Sequence, residues 1–161
     1  MNKSSKGFSL IELLIVVAII LIIAAIAIPN LLRSRIAANQ ASAVGSCRTL
    51  NTAEITYSST YNSGFSLSMA YLAPPATAGA NPTSTAAGLI DSVLALGAKS
   101  GYSFTYSPGP SDSTSRINTY SINASPITSS TGTNFYYTDQ SGVIRQNSTA
   151  AALSTDSPIA G

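Results

Sequence analysis

The sequence has 161 residues, a formal net charge of +2, and charged side chains at 9% of its positions. This length suits about one ordinary domain, and the small net charge, without a basic stripe, excludes nucleic acid as the default partner. The sequence contains no histidine and one cysteine, which excludes an acid–base histidine and an intramolecular disulfide.

The apolar residues are concentrated near the N-terminus. Residues 13–32, LLIVVAIILIIAAIAIPNLL, form an uncharged run of twenty, which as a helix spans about 30 Å, the thickness of a bilayer core. Lys3 and Lys6 precede the run, as in signals and anchors whose basic end stays in the cytoplasm. The core of a cleaved signal peptide has only roughly 7–15 apolar residues. An uncleaved anchor is therefore favoured, and cleavage near AAIAIPN is the alternative.

Glu12 lies at the start of this apolar region. A carboxylate at the centre of a bilayer costs roughly 2.5–3.5 kcal/mol, and less near the edge. Two interpretations remain open: the side chain lies at headgroup level, or the carboxylate pairs with a cation.

The segment KGFSLIELLIVVAII resembles the class III signal of type IV pilins and of their pseudopilin relatives. The resemblance implies that a prepilin peptidase cuts between Gly7 and Phe8 and that the new N-terminal Phe8 is methylated. Such a cut creates an amino group that is usually positive at neutral pH. Phe8 and Glu12 are four residues apart, so they share one face of a helix. The resemblance further implies that Glu12 forms a salt bridge with the Phe8 amine of a neighbouring subunit during assembly.

Pro29 falls where this family kinks its helix. Proline has no N–H, so the carbonyl of Ala25 loses its helical donor. A kink or local melting of the helix is therefore expected at Pro29.

The segment after the apolar run has the pattern of an amphipathic helix. Apolar residues recur every seven positions, which predicts one face packed against a small domain. Glu54 falls on the same stripe, and we expect its carboxylate to reach water. Asn62 and Gly64 predict the end of the helix. The residues of the stripe are Ile36, Ala43, Cys47, Leu50, Tyr57 and Tyr61.

The remaining sequence predicts a loop region followed by strands. A short helix is predicted within residues 86–101, ending at Gly97. The alternating segment YSFTY (102–106) predicts one strand, and INTYSIN (117–123) predicts a second. NFYYT and VIRQ flank DQSG (139–142), where Asp139 and Gly142 predict a hairpin turn. Three or four antiparallel strands are expected to pack on the helix.

These elements predict an α+β fold. By resemblance it is the pilin fold, in which a long kinked N-terminal helix packs at its C-terminal half on a small antiparallel sheet. The predicted organisation is a leader peptide (1–7), a transmembrane or filament-core half of the helix (8–32), an amphipathic half (33–62), a loop region (63–101), and an antiparallel β region with a C-terminal tail (102–161).

The sequence favours neither a metal site nor catalysis. Asp112, Asp139 and Asp156 offer oxygen ligands, but they are dispersed and lack a calcium-loop motif. No GxSxG segment or clustered carboxylate pair is present. We therefore predict no metal, no cofactor and no enzymatic activity.

The resemblance implies a structural function. The expected protein is a type IV pilus subunit, inserted in the inner membrane as a prepilin, cleaved, methylated and polymerised into a surface filament. Its expected partners are the prepilin peptidase, identical subunits, an inner-membrane assembly platform driven by a secretion ATPase, and membrane lipid before assembly. The alternatives are a type II secretion pseudopilin in a periplasmic piston, a minor pilin for adhesion or DNA uptake, and a signal-anchored surface protein that never polymerises.

Overall fold

The computed structural model describes residues 7–159. Lys3, Lys6 and the rest of the predicted leader before Gly7 lie outside the described residues, as do the last two residues of the predicted tail. The chain divides into two compact units, Met1–Arg35 and Ile36–Gly161. One long helix, α1 (Leu10–Tyr61), contributes residues to both.

In the first unit, α1 is apolar on every side. The side chains of residues 10–32 are exposed, apart from the partly exposed Ala24. Among the described residues, α1 is the one helix long and apolar enough to cross a membrane. A helix with apolar side chains all round requires lipid or a packed apolar environment.

Pro29 lies inside α1, and the helix continues on both sides of it without interruption. The missing N–H of proline removes one backbone hydrogen bond, a loss that membrane helices tolerate through small local adjustments. The predicted kink at Pro29 stays a prediction.

In the second unit, α1 buries one face. Ala43, Cys47 and Leu50 are fully buried and Tyr57 is nearly so, as the seven-residue repeat predicts. Ile36, the first residue of the predicted stripe, is only half-buried.

Glu54 contradicts the expectation that its carboxylate reaches water, because its exposed fraction is 0%. The backbone N–H of Ser66 donates to Glu54 Oε2 at 2.8 Å, and the Ser66 hydroxyl donates to Glu54 Oε1. The prediction was wrong because the chain turns back after the helix and brings Ser66 over the carboxyl group.

The turn that brings Ser66 back depends on two left-handed residues. Asn62 has a φ of 52° and Gly64 a φ of 81°, so the helix ends where the sequence predicts. A Cβ on Gly64 would lie 2.2 Å from the carbonyl oxygen of Ile117. Only glycine fits this close approach, which the Phe65 N–H secures by donating to the same oxygen at 2.7 Å.

The described residues form one five-stranded antiparallel sheet in which sequential strands are neighbours. This arrangement with α1 confirms the predicted α+β class. The strand at 102–106 and the hairpin at 139–142 are confirmed; the second predicted strand begins and ends three residues later than expected. That shift arises because Ile117 pairs with Gly64 and Ser111 in isolated bridges instead. The strands are β1 (Ala98–Lys99), β2 (Tyr102–Pro108), β3 (Tyr120–Pro126), β4 (Phe135–Asp139) and β5 (Arg145–Asn147).

Two short helices lie in the region predicted as loop. Helix α2 (Met69–Leu72) was not predicted, and α3 (Ser92–Ala95) is a one-turn form of the helix predicted within 86–101. Asp91 caps α3 by accepting a hydrogen bond from Leu94 N at 2.9 Å. Gly97, with a φ of 79°, follows its end as expected.

The segment after β5 is held against that strand by hydrogen bonds. Gln146 N donates to Ser157 O at 3.0 Å, and Ile159 N donates to Ile144 O at 2.9 Å. The Asn147 amide donates to the carboxylate of Asp156 at 3.2 Å. Among the described residues, this segment therefore covers the outer edge of β5.

Gly132 provides a test of core packing. A Cβ at Gly132 would lie 2.2 Å from the hydroxyl oxygen of Tyr102, which is fully buried and donates to Asn134 O at 2.8 Å. Gly132→Ala should lower the free energy of unfolding by about 1–3 kcal/mol, as overpacking does, in thermal or denaturant melts. As a control, Gly45→Ala meets nothing within 4 Å and should stabilise the helix by up to about 1 kcal/mol. Equal effects of the two changes would contradict this account.

Cys47 should resist thiol reagents in the native state. It is fully buried, and burial raises the pKa of its thiol to about 12, so little thiolate forms at neutral or mildly alkaline pH. We expect mass spectrometry to find no alkylation of folded protein and complete alkylation in denaturant. Rapid labelling without denaturant would show that the core opens around Cys47.

Candidate functional site

The first turn of α1 is capped by two hydrogen bonds to side chains. The backbone N–H of Ser9 donates to Glu12 Oε2 at 2.9 Å, and the N–H of Ile11 donates to Ser9 Oγ at 3.3 Å. This S-x-x-E arrangement is a capping box, which satisfies backbone donors that lack helical partners. Glu12 therefore has a defined local role that the sequence analysis missed, although the S-x-x-E spacing was visible.

The capping box leaves part of the Glu12 carboxylate available. The side chain is exposed, and the ion pair found within residues 7–159 joins Lys99 to Asp91 instead. A negative group at a helix N-terminus is also favoured by the helix dipole. The geometry thus holds one carboxylate oxygen on Ser9 and leaves the group open to a cation.

Gly7 and Phe8 precede the helix and are exposed. The Phe8 side chain is 80% exposed. A Cβ added to Gly7 would meet nothing within 4 Å, so local packing does not require glycine there. The structure therefore places Gly7, Phe8 and Glu12 within one accessible stretch of chain, whereas Pro29 lies about five helical turns further along.

The exposed apolar surface follows directly after this stretch. Seventeen large apolar side chains between residues 8 and 32 are at least 46% exposed. Each is worth about 1.5–3 kcal/mol when it is transferred from water into an apolar environment. This segment is consequently stable only where lipid or other protein covers it.

Each of the three aspartates considered as oxygen ligands accepts hydrogen bonds from residues near it in sequence. Asp112 Oδ1 accepts hydrogen bonds from the Thr114 hydroxyl at 2.7 Å, from Arg116 N at 3.0 Å and from Thr114 N at 2.8 Å. These hydrogen bonds, the Thr114 hydroxyl first, lower the pKa of Asp112 below its ordinary range. Asp139 accepts from Ser141 N at 2.9 Å, while Asp156 is held by Asn147. Residues 7–159 contain no group of three His, Cys, Asp or Glu side chains that could hold a metal ion.

Comparison with known proteins gives matches at the N-terminus. Residues 2–28 match the family model of the prokaryotic N-terminal methylation motif. The chain is 65% identical over 37 residues to the type IV wide pilus major component PilA4 of Thermus thermophilus, a match covering 23% of this chain and 28% of that protein. It is 49% identical over 53 residues to the type IV major pilin protein PilA of Myxococcus xanthus, covering 33% of this chain and 24% of that protein.

These matches span about a quarter of the length of each relative. No solved structure matches the chain. The stretch matched by the family model contains Gly7, Phe8 and Glu12, and Pro29 lies one residue beyond it. The chain thus matches the prokaryotic N-terminal methylation motif over residues 2–28 and is similar, over part of its length, to two type IV pilins.

Proposed function

We propose that this protein is a structural subunit of a type IV pilus, most consistent with a major pilin. The observation that carries the proposal is a helix half with apolar side chains on every side, preceded by an exposed glycine, phenylalanine and capping-box glutamate. Both relatives are named as major pilus components, which favours a major pilin over a pseudopilin or a minor pilin.

The proposed pathway begins in the inner membrane. Residues 13–32 hold the prepilin in lipid, with the leader on the cytoplasmic side. A prepilin peptidase cuts after Gly7, and Phe8 is then methylated at its new amino group. Local packing does not require glycine at position 7. This supports the proposal that the prepilin peptidase is what requires glycine there.

Assembly then replaces lipid by neighbouring helices. An assembly platform moves the subunit into a helical homopolymer, in which residues 8–32 of many copies cover one another and form the filament core. The second unit, with its sheet, forms the outer surface of the pilus. This role requires no catalytic group or cofactor, and the final location is extracellular.

The Glu12 carboxylate selects the position of each incoming subunit. In an apolar setting, a charge without a partner is strongly unfavourable, whereas pairing with the Phe8 amine of a neighbour compensates it. The capping box holds one carboxylate oxygen on Ser9, so the carboxylate is already oriented at the helix start before it meets that amine.

The direct test of the proposal is to shear filaments from cells and identify their subunit. We expect electron microscopy to show filaments and mass spectrometry to find this chain beginning at a methylated Phe8. An intact leader on the assembled or membrane-bound protein would contradict the proposed processing. Filaments composed of another protein would contradict the assignment as a major pilin.

Two substitutions at Glu12 separate charge pairing from helix capping. Glu12→Gln removes the charge but keeps an acceptor for the Ser9 N–H, whereas Glu12→Ala removes both. We expect both variants to be cleaved normally, measured by immunoblot, and both to lower filament yield by about tenfold or more, because about 1.4 kcal/mol corresponds to tenfold. Normal yield from Glu12→Gln with a loss in Glu12→Ala would show that capping, and not charge pairing, is required.

Ser9→Ala should loosen the first turn of α1. Losing an N-cap hydroxyl costs about 1 kcal/mol, which corresponds to about fivefold faster local opening. Hydrogen exchange of the Ile11 amide, measured by NMR on detergent-solubilised mature protein, should increase by about this factor. Ser9→Thr is the matched control, because it keeps the hydroxyl acceptor. Unchanged exchange in Ser9→Ala would show that the Ser9 hydroxyl contributes nothing.

A further inference from the structure

The second unit contains a fully buried carboxyl group. Glu54 is fully buried between α1 and the segment that follows it. Ser66 supplies two groups to it, a backbone N–H to Oε2 at 2.8 Å and a hydroxyl in contact with Oε1. No cation lies among these partners, so an ionised Glu54 would be a buried charge without an opposite charge, which is costly.

The Ser66 hydroxyl has more acceptors than protons. Its oxygen lies next to Glu54 Oε1 and 3.1 Å from the carbonyl oxygen of Ser68. A serine hydroxyl carries one proton, so it can donate to only one of these acceptors at a time. The neighbouring Tyr106 hydroxyl donates to the Ser66 carbonyl at 2.8 Å, and its oxygen lies 3.4 Å from Ser66 Oγ as a third, more distant acceptor.

The protonation state of Glu54 decides which acceptor the Ser66 hydroxyl uses. When Glu54 is ionised, the hydroxyl donates to Oε1 and no longer donates to Ser68 O. When Glu54 is protonated, Oε1–H donates to Ser66 Oγ, and the Ser66 hydroxyl is free to donate to Ser68 O. The protonated state therefore forms one more hydrogen bond and leaves no buried charge. Its hydrogen bonds extend as far as Ser68, the residue at the N-cap position of α2.

We propose that Glu54 and Ser66 form a proton-operated latch that ties the second half of α1 to the segment leading into α2. The latch takes one proton from water as the surrounding medium becomes acidic, and the second unit then becomes more stable. The proposal concerns residues 36–159 and goes beyond the pilus function, since it would hold for the subunit in any assembly.

Among the titratable groups that face one another here, the Glu54 carboxyl is the one whose protonation responds to pH. The titratable side chains that face it are Tyr57 on α1 itself, Tyr106 on β2 and Tyr120 on β3, and burial raises the pKa of all three phenols. Burial also raises the pKa of the Glu54 carboxyl, and the hydrogen bonds from Ser66 oppose that rise. The sequence contains no histidine, the residue that ordinarily titrates between about pH 5 and 8.

The direction of the effect follows from proton binding. Because the pKa of Glu54 is higher in the folded chain, the folded chain binds more protons than the unfolded chain at a given pH. Its stability must then fall as pH rises. The loss begins near the ordinary glutamate pKa of about 4.3 and is complete once pH passes the raised value in the folded chain.

The test is thermal unfolding of the mature full chain in detergent between about pH 4 and 8, followed by the near-ultraviolet circular dichroism of its tyrosines. We expect the Tm of the wild-type protein to be several degrees higher at the acidic end. Glu54→Gln should largely abolish this dependence and should match or exceed the wild-type Tm at the alkaline end. Glu12→Gln, which removes the other glutamate of the chain, is the matched control and should keep the wild-type dependence.

Two outcomes would overturn the proposal: a wild-type Tm that falls on acidification, or an unchanged pH dependence in Glu54→Gln. If Glu54→Gln does not fold, the wild-type protein labelled with carbon-13 at its two glutamate carboxyls gives the answer. A Glu54 signal that titrates above the ordinary glutamate pKa of about 4.3 supports the latch. A Glu54 signal that titrates at or below that value overturns it.

Discussion

The first half of α1 exposes apolar side chains on every side of the helix, and nothing among the described residues covers them. This surface makes the segment unstable in water, because each large side chain is favoured by about 1.5–3 kcal/mol when it leaves water. In the proposed pathway, the segment passes from lipid to the filament core without lasting contact with water. Gly7, Phe8 and Glu12 are accessible, and we propose that they are the residues by which this transfer is marked and directed.

The second unit differs from this segment, because it has a small core of its own that must keep it folded in water. Ala43, Cys47, Leu50 and Tyr57 of α1 are buried with the inward-facing residues of the sheet, and the strands follow one another as sequential neighbours. Most contacts within the sheet therefore form between segments that are close in sequence. The turn at Gly64 adds the longer connection, since the Phe65 N–H binds the carbonyl of Ile117.

Much of this fold was predictable from the apolar repeat and from the residues that end a helix or form a turn. The seven-residue repeat located the buried face of α1, Asn62 and Gly64 located its end, and Asp139 with Gly142 located the last hairpin. Contacts between distant residues were not predictable. The residues near Glu54 in sequence do not show that Ser66 contacts its carboxyl group. Ile117 lies outside the strand predicted to contain it, because it pairs with Gly64. Ser9 was overlooked because Glu12 was considered only as a charge in lipid, although its spacing from Ser9 defines a capping box.

The segment after β5 is fixed by backbone hydrogen bonds and by the contact of Asn147 with Asp156. With a single cysteine in the sequence, this closure involves no covalent link within the chain. Disulfides persist only where the compartment is oxidising. A reducing medium therefore breaks no covalent bond that links β5 to the segment after it.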